Sequence, residues 1–281
     1  MSSNAFKLIN FDLEEINKSQ FDFFSRFLLI HSGIHLIENA KNYSLLNNRL
    51  RKVLRLHAIE NFSILMEKLE KSPSEKLKDD FINCMTTNKT EFYREKDHFS
   101  QLPILLKERM QQKTPVYIWS SACSTGQEPY TIAMHFHEKY KKEEFENIKV
   151  LATDIDHDVL KTASEGYYQE PQLDGLSQDQ IEKYFDCIAN LYTLKDFIKE
   201  KVHFSRLNLF NFPFPIQKRF DVIFCRNVLI YFKPEDRFKA CENLAHYLNV
   251  GGLLILGLSE AGSVQLKDFK SLGNSTYRKI K

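Results

Sequence analysis

From residue 116 onward, short apolar runs alternate with segments of helical periodicity, and this alternation limits the fold more than any other feature. Runs that are apolar throughout are typical of strands buried on both faces, as in a parallel sheet whose crossovers are helices. The sequence therefore predicts an α/β domain with a Rossmann-like parallel sheet. The predicted strands cover residues 116–119, 150–153, 202–204, 222–225, 253–256 and 276–280.

Two prolines mark the starts of helices between these strands. Proline is favoured in the first turn of a helix, so we expect helices to open at Pro129 and Pro234. Glu235 and Asp236 follow the second proline, and acidic side chains in a first turn suit the helix dipole. This second helix is expected to end before Gly251, after which the next strand begins.

Residues 167–200 do not fit the alternation, because the stretch is too long for a simple connection between two elements. Ser177 and Gln180 have the spacing of a capping box, which predicts a short helix after Ser177. The β-prone residues 191–194 follow this helix. We interpret residues 167–200 as an insertion that forms a small antiparallel sheet of its own.

The sequence before the sheet shows no sustained strand alternation and is predicted to be helical. A length of 281 residues suits about two domains. We place an all-α N-terminal domain at residues 1–82 and the sheet domain at residues 83–281. The clearest N-terminal helix is predicted over residues 44–62, because its apolar side chains recur on one face. These inward-facing positions are Leu46, Leu50, Val53, Leu54 and His57.

The opposite face of this predicted helix is basic. It carries Arg51, Lys52 and Arg55, and Arg49 flanks it. Charges on an outer helix face usually serve only to keep that face in water. The alternative is a docking surface for an acidic partner, and the sequence alone leaves both interpretations open.

Composition excludes several classes of protein. With 39 Lys and Arg against 37 Asp and Glu, the formal charge is +2, so we expect no dedicated nucleic-acid binder. The five cysteines form no Cys-x-x-Cys pair, which argues against a zinc ribbon or a thioredoxin-like site. We find no signal peptide and no apolar run of the ~20 residues that a membrane span needs. We therefore expect a cytoplasmic protein with no membrane insertion.

Residues 120–130 leave a predicted strand, turn through small side chains and enter a helix. This geometry lets a ligand approach the backbone near Gly126 at the carboxyl end of the strand. Gly-x-Gly-x-x-Gly is absent, and the Glu128 carboxylate would repel a phosphate, so a dinucleotide is disfavoured. A carboxylate suits an α-ammonium group instead. Taken alone, the segment is equally consistent with an ordinary tight turn.

An acidic residue also follows the second predicted strand directly. Asp154 is at the place where such a side chain typically accepts hydrogen bonds from ribose hydroxyls. For Asp156 we favour a role as N-cap of the next helix. Glu128 for an ammonium group and Asp154 for a ribose together describe a nucleoside that carries an amino acid. S-adenosylmethionine fits this description, whereas NAD fits it badly.

Four motifs, in order along the chain, resemble those of the CheR family of chemotaxis receptor methyltransferases. They are TNKTEFYRE at 87–95, WSSACSTGQEPY at 119–130, ATDID at 152–156 and FCRNVLIYF at 224–232. The resemblance covers nearly the whole chain, including the basic helix and the insertion. It implies transfer of a methyl group from S-adenosylmethionine to glutamate carboxylates of chemoreceptors in chemotactic adaptation. The implied products are glutamate methyl esters and S-adenosylhomocysteine.

The resemblance also implies roles for individual residues. It implies that Asn88, Thr90 and Arg94 lie on a segment that closes over the cofactor. Glu128 would bind the amino group of the cofactor and Asp154 its ribose, and Asn208 and Leu209 would border the adenine. Arg226 and Asn227 would line the site at the end of a strand. Tyr231 would face the methyl group, and Arg94, Arg226 and Tyr231 are the implied catalytic residues. The implied partner is the cytoplasmic helical region of chemoreceptors. In some family members a receptor C-terminal peptide binds the insertion, and the sequence leaves this open here.

The chemistry makes modest demands on the residues. A glutamate carboxylate, with a pKa of about 4.3, is already ionised at neutral pH and needs no general base. We therefore expect neither a catalytic triad nor a metal site. Arg94 or Arg226 would orient the incoming carboxylate, and the sequence does not decide between them. Most aromatic side chains are expected in the core, with Trp119 and Tyr231 as exceptions beside strand ends.

Two other hypotheses stay open from sequence alone. One is a methyltransferase that acts on a small molecule or RNA, although the Asp/Asn-Pro-Pro-Tyr/Phe signature of N-methylation is missing. The other is a regulatory or docking module that binds S-adenosylmethionine without turnover. Retention of Arg94, Arg226 and Tyr231 argues against such a module.

Overall fold

The computed structural model describes residues 15–112, 114–260, 262 and 266–281. The chain divides into two compact units, with the boundary between Thr87 and Asn88. Among the residues described, no helix combines the length and the apolar character needed to cross a bilayer.

The described part of the N-terminal unit is helical, as predicted. Its helices are α1 (Lys18–Ser32), α2 (Ala40–Leu56), α3 (Phe62–Lys71) and α4 (Glu75–Met85). Each of the four begins at a polar N-cap whose side chain accepts a hydrogen bond from a backbone N–H of the first turn. These caps are Asn17, Asn39, Asn61 and Ser74.

The helix predicted over residues 44–62 is wrong at both ends. Helix α2 starts at its Asn39 cap and ends at Leu56, and Asn61 then caps a separate helix. The apolar face is as predicted, since Leu46, Leu50, Val53 and Leu54 are all buried, but His57 lies beyond the last turn. The apolar spacing located the helix face, whereas the asparagine caps decided its length.

Arg49 does not simply flank the basic face of α2. Its guanidinium donates 2.7 Å hydrogen bonds to the carbonyl oxygens of Met85 and Thr86, and a 3.1 Å bond to the Thr87 hydroxyl. Met85 ends α4, so this cation satisfies carbonyl groups that a helix C-terminus leaves without partners. These contacts give Arg49 a structural role within the N-terminal unit, and its place on a docking surface stays a prediction.

The second unit contains the α/β sheet. Its helices are α5 (Asp97–Leu105), α6 (Lys107–Gln111), α7 (Gln127–Lys139), α8 (Lys142–Glu146), α9 (His157–Glu165), α10 (Gln178–Tyr184), α11 (Asp196–Lys199) and α12 (Pro234–Ala245). Its strands are β1 (Val116–Ser120), β2 (Ile148–Asp154), β3 (Tyr167–Gln169), β4 (Phe185–Ile188), β5 (Leu191–Leu194), β6 (Val202–Arg206), β7 (Phe220–Cys225), β8 (Leu248–Leu256), β9 (Phe269–Gly273) and β10 (Thr276–Lys279).

The main sheet has the strand order β6-β2-β1-β7-β8-β10-β9. The first five strands in this order are parallel to one another, and β10 pairs antiparallel with both β8 and β9. The predicted Rossmann-like parallel sheet is confirmed. All six residues of β7 are buried, in line with the unbroken apolar run that predicted this strand.

Two details of the sheet differ from the prediction. Strand β8 starts at Leu248 and includes Gly251, which was expected to precede the strand. Strand β9 was not predicted, because its polar sequence has no clear apolar alternation. The helix expected to open at Pro129 begins at Gln127, whereas α12 begins at Pro234 as predicted.

The insertion forms its own sheet, with the antiparallel order β3-β5-β4. The Ser177 capping box opens α10 as the spacing predicts. Strands β4 and β5 are joined by Ala189 and Asn190, both in the left-handed region with φ of 50° and 63°. Two consecutive residues of this kind make the tight connection typical of a β-hairpin.

The position of Trp119 differs from the one expected. The side chain was expected beside a ligand, but it is fully buried in the core of the second unit. Its ring packs against Phe214 and Phe220, and its N–H donates a 2.9 Å hydrogen bond to the Thr153 hydroxyl. With its donor satisfied, this indole has a packing role.

Loss of the Arg49 guanidinium is expected to destabilise the N-terminal unit. In Arg49→Ala the carbonyls of Met85 and Thr86 lose a charged donor, so we expect the free energy of unfolding to fall by about 1–3 kcal/mol. Lys52→Ala, an exposed neighbour on the same helix, is the control and is expected to change stability by less than about 0.5 kcal/mol. Urea denaturation measures both variants, and equal stabilities would contradict the capping role.

Candidate active site

The turn from β1 into α7 is fixed by close packing around Gly126. This residue has φ +95°, a conformation that side chains with a Cβ rarely adopt. A Cβ built there would lie 3.0 Å from the Ala163 Cβ and 3.1 Å from the Tyr168 hydroxyl. The same hydroxyl donates a 2.9 Å hydrogen bond to the Thr125 carbonyl. The first turn of α7, which carries Glu128, is thereby held at the carboxyl end of β1.

Asp154 ends β2 and lies beside this turn. One carboxylate oxygen accepts a 2.8 Å hydrogen bond from the Ser124 N–H, and the other accepts a 3.1 Å bond from the Asp156 N–H. Burial raises the pKa of Asp154 to about 6, although the backbone hydrogen bonds act in the opposite direction. A carboxylate at this position is an acceptor that titrates close to neutrality.

Asp156 caps α9, as the sequence predicts. Its carboxylate accepts hydrogen bonds from the N–H groups of Asp158, at 2.9 Å, and Val159, at 3.4 Å. The other oxygen accepts a 2.9 Å bond from the Asn88 side-chain amide, and the Ser124 hydroxyl donates to the Asn88 carbonyl at 3.0 Å. The predicted site residue Asn88 is therefore attached to the strand end that carries Asp154.

Arg226 is buried between two carboxylates at the end of β7. Its side chain is 2% exposed, and one guanidinium nitrogen lies 2.8 Å from Glu128 Oε2. The other terminal nitrogen lies 3.2 Å from Glu95 Oε2 and also donates to the Arg94 carbonyl. The second oxygen of Glu128 accepts a 2.7 Å hydrogen bond from the Ser120 hydroxyl. Predicted residues from three parts of the sequence thus meet at one guanidinium.

Glu95 belongs to this cluster, although no role was predicted for it from the sequence. Burial alone would raise the pKa of Glu95, but the Arg226 charge and hydrogen bonds from Asn227 and Leu258 hold it below its ordinary value. The Asn227 side-chain amide and the Leu258 N–H each donate to it at 3.2 Å. Glu95 stands inside the first family motif, but nothing in the sequence indicates a partner 131 residues away.

The segment that carries Asn88, Thr90 and Arg94 is irregular. Arg94 is half-buried, and its guanidinium donates a 2.9 Å hydrogen bond to the Lys89 carbonyl. The residues on either side of Arg94, Tyr93 and Glu95, both have φ of 53°. Non-glycine residues in this region are uncommon and cost about 1–3 kcal/mol each when strained. Thr90 is half-buried on the same segment.

The remaining predicted residues follow β6 and β7. Asn208 is half-buried and accepts a hydrogen bond from the Phe210 N–H at 2.9 Å, and Leu209 is buried in the core cluster around Trp119. Tyr231 ends a short 3₁₀ helix and is half-buried against the same cluster. Because β1 lies between β2 and β7, the Asp154 and Arg226 groups occupy the same edge of the sheet.

The basic face of α2 is only partly exposed. Lys52 and Arg55 are exposed, whereas Arg51 is half-buried. Of the four predicted docking residues, Lys52 and Arg55 therefore present their charges most fully to solvent.

Known proteins resemble this chain over most of its length. The family model described as CheR methyltransferase, SAM binding domain, matches residues 88–278. A chemotaxis protein methyltransferase from Borreliella burgdorferi is 35% identical over 88% of this chain and 89% of the relative. One from Vibrio parahaemolyticus is 35% identical over 88% of this chain and 90% of its own length. A probable chemotaxis protein methyltransferase from Rhizobium etli is 34% identical, and the shared region covers 89% and 96%.

Affinity for S-adenosylhomocysteine is expected to depend on pH through Asp154. In the ribose-binding role predicted for it, the ionised carboxylate would accept hydrogen bonds from ribose hydroxyls, and protonation below its pKa of about 6 would weaken it as an acceptor. The dissociation constant should rise as pH falls through about 6, by up to about tenfold per unit. Calorimetric titration from about pH 5 to about pH 8 measures this dependence. Asp154→Asn should bind weakly at every pH, and a pH-independent wild type would remove Asp154 from the site.

Proposed function

The chain belongs to the CheR methyltransferase family, and we propose that it transfers methyl groups from S-adenosylmethionine to glutamate side chains of chemoreceptors in chemotactic adaptation. The products are glutamate methyl esters and S-adenosylhomocysteine. The observation that carries the proposal is the arrangement of Asp154, Glu128 and Arg226 on one edge of the parallel sheet. This set offers acceptors for the sugar and the ammonium group of the cofactor but no cradle for a diphosphate.

The polar groups of the site fit S-adenosylmethionine. Asp154 supplies the acceptor for the ribose hydroxyls, and Glu128 supplies the acceptor for the ammonium group. The Arg226 Nε is buried and has no hydrogen-bond partner among the described residues, which leaves one donor available to the anionic end of the cofactor. We assign Asn208 and Leu209 to the border of the adenine, and Asn88 and Thr90 to the segment over the cofactor.

Glu128 does not have to break its existing contacts to bind an ammonium group. A carboxylate has about four lone-pair positions, and the structure uses one for Arg226 and one for Ser120. The contact with Arg226 also fixes the direction of the Glu128 carboxylate. The ammonium group would therefore meet an acceptor whose orientation is already set, which lowers the entropic cost of binding.

The two arginines differ in how far their donors are already engaged. Arg226 is bound to Glu95, Glu128 and the Arg94 carbonyl, so we assign it to fixing the cofactor side of the site. Arg94 is half-buried and donates to the Lys89 carbonyl, which leaves guanidinium donors to orient an incoming glutamate. A partly hydrated guanidinium attracts the glutamate carboxylate but does not pair with it so tightly that the carboxylate loses its nucleophilicity.

The transfer step follows from placement. The cofactor supplies an electrophilic methyl group on a sulfonium. The acceptor glutamate is ionised at neutral pH, so none of the site residues has to remove a proton. What they supply is alignment, with the carboxylate oxygen about 3 Å from the methyl carbon and opposite the sulfur. We assign Tyr231, which follows β7, to the wall beside the methyl group.

Electrostatic attraction would bring the receptor to the enzyme. The exposed cations Lys52 and Arg55 on α2 suit an acidic stretch on the cytoplasmic helical region of chemoreceptors. We include the half-buried Arg51 in this surface and leave Arg49 out, because its donors bind backbone carbonyls. In the insertion, β3 and β4 are the edge strands, and an edge strand is where an extended receptor C-terminal peptide would add.

A methyl-transfer assay tests the proposed function. Full-length protein with labelled S-adenosylmethionine is expected to label receptor membranes, and mild base should release the label because glutamate methyl esters hydrolyse. Receptors with the acceptor glutamates changed to alanine are the control. Label on RNA or a small molecule would indicate a different methyltransferase, and binding without transfer would indicate a regulatory module.

Charge reversal tests the basic surface separately. Lys52→Glu with Arg55→Glu is expected to raise the KM for receptor by about tenfold or more, because like charges then face each other, while S-adenosylhomocysteine affinity stays unchanged. Lys68→Glu with Lys76→Glu, two other exposed cations of the N-terminal unit, is the matched control. If both double variants turn over receptor equally, the α2 face is only a solvated surface.

A further inference from the structure

A buried carboxylate lies just behind the candidate active site, and the proposed function does not use it. Glu260 ends a short 3₁₀ helix, Leu258–Glu260, that follows β8, and it is 1% exposed. Carboxylates are almost never this deeply buried unless their oxygens are bound. The hydrogen-bond partners of Glu260 therefore indicate which part of the chain it stabilises.

Glu260 accepts hydrogen bonds from four backbone N–H groups. Its Oε2 accepts from Gly257 at 2.7 Å and from Asn227 at 2.9 Å. Its Oε1 accepts from Leu229 at 2.8 Å and from Ile230 at 3.3 Å. Three of the four donors belong to residues 226–231, which we call the β7 loop. One side chain thus supplies acceptors for most of the backbone turn that leaves β7.

The electrostatics show why a neutral side chain would not serve as well. Burial raises the pKa of Glu260, and the four N–H groups oppose this shift because they stabilise the charged form. An apolar residue would leave the same N–H groups buried without partners, at a cost comparable to a lost hydrogen bond for each. A glutamine would present an amide group, itself a donor, to some of these donors.

Gly257 provides independent support for a close contact between Glu260 and the β7 loop, because no room is left for a side chain at residue 257. A Cβ at this position would lie 2.7 Å from Glu260 Oε2, 2.8 Å from the Asn227 side-chain nitrogen and 2.9 Å from the Asn227 backbone nitrogen. Such distances are too short for real Cβ contacts, so something would have to shift. The absence of a side chain at residue 257 is what allows the carboxylate and the β7 loop to meet.

The β7 loop carries three of the residues assigned to the site. Arg226 and Asn227 begin it, and Tyr231 ends it. Asn227 has φ of 57°, an uncommon conformation that its surroundings must maintain. From the other side, Glu95 accepts hydrogen bonds from the side chains of Arg226 and Asn227. The loop is therefore held by one carboxylate through its backbone and by another through its side chains.

We propose that Glu260 is a positioning residue for methyl transfer, which holds the β7 loop so that Arg226, Asn227 and Tyr231 keep their places around the methyl end of the cofactor. The inference rests on the proposed function for the identity of the transferred group. Glu260 acts through the loop, and Gly257 makes its approach possible. The adenosine end of the cofactor, assigned to Asp154 and Asn208, does not depend on this contact.

Two variants disturb the contact in different ways, and each has a matched control. Glu260→Gln removes the charge, and Asp221→Asn removes a comparably buried carboxylate near the start of β7, where it accepts from the Tyr117 N–H at 2.9 Å. Gly257→Ala places a Cβ against the Glu260 carboxylate. Gly252→Ala places one 2.8 Å from the Asn249 carbonyl, in the earlier part of β8.

The measurements are kcat for receptor methylation, the dissociation constants of S-adenosylhomocysteine and of adenosine, and the folded fraction. For Glu260→Gln and Gly257→Ala we expect kcat and S-adenosylhomocysteine affinity each to fall about tenfold or more, since small misplacements cost this much. Adenosine affinity should stay within about twofold, because adenosine lacks the homocysteine end. The two controls should lose stability but keep wild-type kcat per folded molecule.

Two results from variants that fold would overturn the proposal. One is that binding of adenosine and binding of S-adenosylhomocysteine decrease together, in proportion to the folded fraction. The other is wild-type kcat in a folded Gly257→Ala, the variant that decides the matter if Glu260→Gln does not fold. If neither variant folds while both controls do, the contact is a folding requirement and the proposal also fails. The binding measurements need no acceptor, so a wild type that methylates no receptor would refute the proposed function alone.

Discussion

The site depends on one buried guanidinium. Arg226 is almost completely removed from water, and a charge in that position is tolerated only when it is paired and hydrogen-bonded. Its partners, Glu95 and Glu128, come from the segment before the sheet and from the first turn of α7. Both carboxylates contact the same guanidinium, so Arg226 fixes three separate parts of the chain relative to one another.

The parallel sheet explains why such distant residues can meet. The carboxyl ends of β2, β1 and β7 are adjacent. Asp154 is the last residue of β2, the turn at Gly126 follows β1, and Arg226 follows β7. Helices cover a sheet of this kind on both faces, so its free edge at the strand ends is where a ligand can reach the backbone. The fold places the acidic and basic groups, and local hydrogen bonds then set their directions.

Sequence reasoning succeeded where a local signal exists. The apolar runs located the parallel strands, the Ser177 spacing located α10, and the position of Asp156 before a helix identified a cap. It failed where the partner is distant in sequence. The Arg49 contact with the end of α4 and the hydrogen bonds that the β7 loop donates to Glu260 leave no pattern in neighbouring residues.

The left-handed backbone on both sides of Arg94 limits how this stretch of sequence can drift during evolution. Glycine or asparagine would ease the conformation at residues 93 and 95, since both φ values are 53°. At residue 93 the replacement would forfeit the edge-on packing of Tyr93 on Phe99, and at residue 95 it would forfeit an ionic partner of Arg226. Relief of strain and retention of these contacts are therefore in competition, and the present residues keep the contacts.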